Sequence, residues 1–142
     1  FAQLFTSLFR IRKIHKTYLA LVYGKVNNSV KIMKDDLIYY ENKKKIMQKA
    51  ISNIKVIRSN EGYSFLELNP ITGRKHQLRK QLLIIGNPII GDNKYFLKNK
   101  KRVKVKNLML HAYKIKFMIN NVQYSFKAKY NNFFQDFLKK NI

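Results

Sequence analysis

The spacing of apolar residues along the chain predicts short strands punctuated by a few helices. Phe1, Leu4, Phe5, Leu8 and Phe9 recur at three- and four-residue intervals, which predicts an amphipathic helix over Phe1 to Lys13, already under way with no N-cap residue ahead of it. Lys16 to Val26 then carries apolar residues at both parities, Leu19, Leu21 and Tyr23 against Tyr18, Ala20 and Val22, so this strand is expected in the middle of its sheet. Asn27 to Asn42 is polar and turn-rich and is expected to be a connection. Ser52 to Arg58 and Tyr63 to Asn69 are the next strands, and Asn60-Glu61-Gly62 between them has the composition of a hairpin loop.

Pro70 closes that hairpin, and a helix is expected from about Arg74 to Ile85, with Leu78, Leu82 and Ile85 as its buried stripe and Gly86 as its stop. A strand follows over Leu108 to Phe117. Val122 to Tyr130 alternates, which turns Val122, Tyr124, Phe126, Ala128 and Tyr130 inward and leaves Gln123, Ser125, Lys127 and Lys129 in water. A short helix from about Asn132 ends the chain. Runs of strands with few helices give an α+β class, with a mixed, largely antiparallel sheet and a few flanking helices. At 142 residues there is material for one hydrophobic core, so the chain is expected to be one domain or a piece of one, with no second domain.

Charge adds a partner to this picture. Thirty Lys and Arg against seven Asp and Glu give +23, a balance that repels itself unless a polyanion is near, and nucleic acid is the expected polyanion. Drift towards Lys-rich composition accounts for part of the excess but leaves the scarcity of acids unexplained. No stretch approaches the roughly 20 apolar residues of a membrane span, and no long helix sets a basic face against a broad apolar one, so a membrane is not expected as a partner. Without cysteine there is no disulfide and no thiolate ligand, and the three histidines lie 35 or more positions apart, so no metal or other cofactor is expected. The absence of cysteine suits a reducing compartment, cytoplasmic or an organelle matrix, and a monomer is expected.

The most informative stretch is Ile71-Thr-Gly-Arg-Lys-His-Gln-Leu-Arg79, a tight turn that feeds a helix after a strand. Thr72 and Gly73 permit the reversal, while Arg74, Lys75 and the first helical N–H groups can meet phosphate oxygens. Three- and four-residue spacing brings His76, Arg79 and Lys80 to one helical face. Arg79 borders the apolar stripe, and a desolvated guanidinium needs a carboxylate or a phosphate. The seven acids offer it no obvious partner by sequence, which leaves substrate phosphate, a carboxylate outside these residues, or plain extension into water. Lys98 to Lys106 is a solvated loop or, with Lys100, Lys101 and Arg102, a phosphate clamp. His111, among apolar neighbours on a strand, is expected to be a satisfied core histidine.

Thr72-Gly73-Arg74-Lys75-His76-Gln77-Leu78-Arg79, followed by Ile85-Gly86-Asn87-Pro88-Ile89-Ile90-Gly91-Asp92 and Lys94-Tyr95, resembles the late signature of RNA pseudouridine synthases of the ribosomal large-subunit type. Lys16-Thr17-Tyr18-Leu19-Ala20 resembles that family's tyrosine strand, and Leu110-His111-Ala112-Tyr113 its late core strand; the three matches fall in the family's order over about Lys16 to Phe117. The resemblance implies isomerisation of uridine in RNA without cofactor or metal. It implies that Tyr18 stacks on a flipped uracil and helps remove its C5 proton, and that Arg79 pairs with the nucleophilic aspartate. Arg74, Lys75, His76 and Lys80 would face RNA.

One departure matters. The family's His-Arg-Leu-Asp type motif, expected upstream of the tyrosine strand, does not occur here. Asp35 and Asp36 fall in the polar connection, Asp92 in a structural turn and Asp136 in the last helix, so the nucleophile is expected outside these residues. The chain then reads as the C-terminal portion of one catalytic domain. The alternative is a non-catalytic basic RNA-binding module, or an inactive remnant of such an enzyme.

Overall fold

A computed structural model describes residues 14–142; the helix expected over Phe1 to Lys13 lies outside them. One six-stranded sheet has the order β2-β3-β4-β1-β5-β6, with β1 (Ile14–Tyr23), β2 (Ile32–Glu41), β3 (Lys44–Ser59), β4 (Tyr63–Pro70), β5 (Leu110–Ile119) and β6 (Val122–Lys127). Every strand pairing is antiparallel. Helices α1 (Gln77–Ile84) and α2 (Asn132–Asn141) complete it.

The central strand is β1, as its two apolar parities require: Leu19, Ala20, Leu21 and Val22 are each no more than 2% exposed. Register decides which helix covers which face. Tyr18, Ala20, Leu66, Leu68, Ile54 and Ser52 share one face through the pairs Tyr18↔Leu68, Ala20↔Leu66, Ile54↔Leu68 and Ser52↔Pro70. Ser52 bonds Gln81 of α1, so α1 lies on that face. Leu21 pairs Phe65 on the opposite face, where Phe65 meets Phe134 of α2 edge-on at 5.8 Å between centroids. Burial on two faces of one strand thus needs a helix on each side, and the sequence supplies both.

Three local expectations are corrected. The polar connection over Asn27 to Asn42 contains β2, whose alternation Met33, Leu37 is too sparse to register as a strand; β2 pairs with β3 over ten residues, and Asn42 and Lys43 turn the hairpin with positive φ. The helix begins at Gln77 rather than Arg74, because Arg74 and Lys75 are spent in the turn and His76 sits in the left-handed region at φ 53° as the N-cap. It ends where expected: Gly86, at φ 87°, donates to the carbonyl of Leu83.

The third correction concerns β6. Alternation predicted an inward face, yet every residue of Val122–Lys127 is exposed, because β6 is the sheet edge beyond the reach of both helices. Its aromatic residues use Phe117 instead, which stacks on Tyr124 at 5.4 Å and Phe126 at 6.1 Å. Tyr130 does reach the core, with its ring near Phe65, Tyr113 and Phe134. His111 is buried as expected but not fully satisfied: Nδ1 meets the Asn131 amide at 3.5 Å, while Nε2 has no hydrogen-bond partner among the described residues.

These burials predict an asymmetry. Leu21→Ala, at a fully buried position, should cost about 2–5 kcal/mol, whereas Phe126→Ala, which removes a 58% exposed ring, should cost less than about 1.5 kcal/mol. Urea unfolding measures both, and equal losses would contradict this assignment of the core.

Candidate active site

The start of α1 is anchored by side-chain amides. Gln77 and Gln81 are buried at 4% and 0% exposure, on a helix whose sequence suggested only an aliphatic stripe. Thr72 Oγ1 donates to Gln77 Oε1 at 2.7 Å and accepts the Ile51 N–H at 2.8 Å. The same Gln77 oxygen accepts the Arg74 N–H at 3.0 Å, and Gln77 Nε2 donates to Ser52 Oγ at 2.7 Å and to the Ile51 carbonyl at 3.1 Å. Ser52 Oγ in turn donates to Gln81 Oε1 at 2.6 Å, and Gln81 Nε2 faces the carbonyls of Met33 and Ala50 and the carboxylate of Asp35. A buried polar chain with every member partnered fixes one geometry, since any slip leaves a donor or acceptor bare. The polar letters of the signature therefore seat the turn on β3, and its cations are what the turn presents.

Tyr18, Arg74, His76 and Arg79 line one cleft of about 250 Å³, together with Lys16 and the Thr72-Gly73 turn. Tyr18 reaches it from β1 beside an irregularity in the β1–β5 pairing between Thr17 and Tyr18, the kind of bulge that re-aims a side chain. Asn69 pins this point by donating to the Lys16 carbonyl at 3.1 Å and to Thr17 Oγ1 at 2.8 Å. Burial pushes the Tyr18 phenol above its ordinary pKa, so it stays protonated at neutral pH. Arg74 spends its Nε on the Lys49 carbonyl, and Tyr39 of β2 donates its hydroxyl to the Lys75 carbonyl.

Arg79 brings the main correction. It has a partner within the chain: Nε donates to Asp92 Oδ2 and Nη2 to Asp92 Oδ1, both at 2.8 Å. Sequence separation concealed this, because Asp92 reaches Arg79 only through the fold of the turn after Gly91. Gly91 has φ 86°, and a Cβ there would collide with the Asn107 carbonyl, so the turn packs tightly against the chain ahead of β5. The Asp92 side chain is fully buried while that of Arg79 keeps 20% exposure. Burial works to raise the Asp92 pKa, but the Arg79 guanidinium and the N–H groups of Tyr95 and Lys94 outweigh it and hold the carboxyl below its ordinary value. The same hydrogen bonding to Asp92 raises Arg79.

The other expected site residues divide. His76 meets the Tyr95 hydroxyl through Nδ1 at 2.9 Å, and burial, then the surrounding cations, lower its pKa, so the ring is neutral at pH 7. Lys80 turns away from the cleft: its ammonium lies 3.8 Å from the Tyr39 ring centroid and donates to the Ile38 carbonyl at 3.2 Å. Lys75 is exposed in the turn. Lys100, Lys101 and Arg102 line a different hollow of about 310 Å³ beside Tyr23, Phe96 and Pro88, with Arg102 stacked 3.8 Å over the Phe96 ring. Tyr23 is five residues from Tyr18, roughly 16 Å along β1, so the basic loop belongs to the far end of that strand. Sequence reasoning missed Gln77, Gln81, Ser52 and Tyr95; the glutamines interrupting an apolar stripe were the available signal. Among the described residues no three His, Asp or Glu side chains cluster as metal ligands would.

Known proteins resemble this chain in sequence and in fold. The RNA pseudouridylate synthase family model matches residues 1–83. An RNA pseudouridine synthase of Helicobacter pylori strain J99 is 29% identical, over 94% of this chain and 52% of its own length. The tRNA pseudouridine synthase C of Haemophilus ducreyi is 32% identical over 78% of this chain and 55% of its own, and the ribosomal large subunit pseudouridine synthase C of Rickettsia felis 36% identical over 61% and 32%. The chain thus spans about half the length, or less, of these relatives. The fold matches that of human RNA pseudouridylate synthase domain containing 4, with a TM-score of 0.79 at 24% identity, over 97% of this chain and 66% of that one. With a family match over more than half of its length and the family's antiparallel sheet, this chain belongs to the RNA pseudouridylate synthase family.

Proposed function

We propose that the cleft between Tyr18 and Arg79 receives a uridine of an RNA substrate and that the protein containing these residues isomerises it to pseudouridine. The observation that carries this reading is the convergence of Tyr18 from β1 with Arg74, His76 and Arg79 from the signature turn in a single cleft. A +23 chain supplies the long-range attraction for the phosphate backbone. Ribosomal RNA is the proposed substrate, since the ribosomal large subunit pseudouridine synthase C of Rickettsia felis is 36% identical over 61% of this chain, and the cytoplasm or an organelle matrix is the proposed compartment.

A uridine paired in a helix must leave the stack before any side chain can meet its C5 or its ribose. In the cleft, the Tyr18 ring offers a stacking surface. Because burial keeps its phenol protonated, the Tyr18 oxygen would take the C5 proton only as its own phenolic proton leaves to solvent, so the side chain ends as the phenol it began as. Arg79 has two of its nitrogens on Asp92, which leaves Nη1 for a second acceptor, a substrate oxygen or the nucleophilic carboxylate. Asp92 itself is unsuited to attack, its side chain being wholly buried and held by four donors. Neither Asp35 nor Asp36 of β2 lines the cleft, Asp35 being bonded to Gln81, and Asp136 lies in α2, on the opposite face of the sheet. The nucleophile is therefore assigned to no described residue, and residues 1–142 alone are expected to bind RNA without turnover. A second reading, RNA binding with no chemistry, draws on the same point.

Tritium release from 5-labelled uridine RNA by the full-length protein tests the enzyme reading. Tyr18→Phe and Arg79→Ala should each lower release by at least about 10²-fold, and full activity in both would remove these site assignments. Substituting Lys100, Lys101 and Arg102 together by Ala should leave that chemistry standing but flatten the salt dependence of RNA binding by about two to three units of slope. An unchanged slope would show that the loop meets no phosphate.

A further inference from the structure

We propose that Asp92 is a positioning residue for the cleft, a buried carboxylate that sets the orientation of Arg79 and, through Tyr95, of His76. The inference rests on the isomerase reading for its kinetic consequence and on geometry for its content. Asp92 accepts four hydrogen bonds: from Arg79 Nε at 2.8 Å, from Arg79 Nη2 at 2.8 Å, from the Lys94 N–H at 3.0 Å and from the Tyr95 N–H at 2.9 Å. Oδ1 takes three of these and Oδ2 one, so the acceptor position left on Oδ2 is closed to substrate by burial and not by occupancy. Its side chain has no exposed surface, which rules out direct contact with RNA.

What the four bonds do is fix other groups. The two from Arg79 are the parallel pair of a bidentate fork, which locks the guanidinium plane as well as its place. Arg79 Cζ lies 4.9 Å from the centroid of the Tyr95 ring, and the Tyr95 backbone is held by Asp92 Oδ1, the oxygen that also accepts from Arg79 Nη2. The Tyr95 hydroxyl then meets His76 Nδ1 at 2.9 Å, so Nε2 is the nitrogen left to the cleft. His76 is a non-glycine residue with positive φ, a backbone state of modest cost that its tethers stabilise. One buried charge thereby fixes two cleft side chains, that of the N-cap His76 and that of Arg79 within the first turn of α1. Neutralising Arg79 would need only a nearby negative charge; holding its plane needs this one.

A double-substitution cycle in the full-length protein separates positioning from plain structural support. Asp92→Asn keeps the size and loses the fork, and it should lower kcat on the order of 10- to 10²-fold with the KM for RNA changed less than about three-fold. In an Arg79→Ala background, Asp92→Asn should lower kcat no further, because the Asn oxygen still accepts the Lys94 and Tyr95 N–H groups and only the fork to Arg79 is lost; multiplying losses would overturn the proposal. Rates are taken well below each variant's Tm and per folded molecule. Should Asp92→Asn fail to fold, Asp92→Glu keeps the charge but displaces it by one methylene: a similar loss of kcat supports positioning, and retained kcat overturns it. If the wild-type protein releases no tritium, the isomerase reading falls and the pair is read by nitrogen NMR. A slowly exchanging Arg79 Nε–H then supports the positioning claim, and a freely exchanging one overturns it.

Discussion

Two glutamine amides inside a helix–sheet interface are the constraint on which the site depends. Gln77 and Gln81 occupy positions where an aliphatic side chain would contribute more burial, and their amides are tolerable there only because Thr72, Ser52, the Ile51, Ala50 and Met33 carbonyls and the Asp35 carboxylate satisfy them. A helix packed by leucines alone could slide or rotate by a fraction of a turn at small cost. One whose two glutamines make eight directional bonds cannot. That rigidity is what allows Arg74, His76 and Arg79 to be presented to Tyr18 on another element.

A second layer of constraint comes from the turn after α1. Gly91 alone lets the chain pass against Asn107, and Asp92 immediately beyond it enters the space beside Arg79. The two layers meet at α1: amides anchor its sheet-facing side, and the carboxylate fixes the side that borders the cleft. Packing is thus carried by β1, β4, β3 and the two helices, while polar bonds of fixed direction set the chemistry. The basic residues divide the same way. Arg74 and Arg79 are tied by hydrogen bonds, Lys80 is folded onto Tyr39, and the cations of 100–102 border a separate hollow at the far end of β1.

Much of this could be read from the residues, and the failures have physical causes. The central position of β1 followed from apolar residues at both parities, and Gly86 marked the end of α1 because no side chain accepts that φ cheaply. Strand β2 was hidden by Asp35, Asp36 and Lys34, which a strand near the sheet edge can carry at little cost. For β6 the opposite held: its alternation was genuine, but alternation reports a face and not whether another layer covers it. Tyr18 and Arg79 were legible as a pair through family resemblance. The partner of Arg79 was not, since a contact between residues 79 and 92 depends on a loop path that no local pattern encodes.

The account stands or falls on Tyr18 and Arg79 addressing the same ligand. NMR of the full-length protein, labelled in arginine and tyrosine side chains and titrated with a short uridine-containing RNA, tests this most directly. The account predicts that the Tyr18 ring and the Arg79 guanidinium shift together with one affinity, while the Arg79 Nε–H stays protected by Asp92. Shifts confined to Arg102 and its neighbours, with Tyr18 and Arg79 unmoved at saturation, would contradict it.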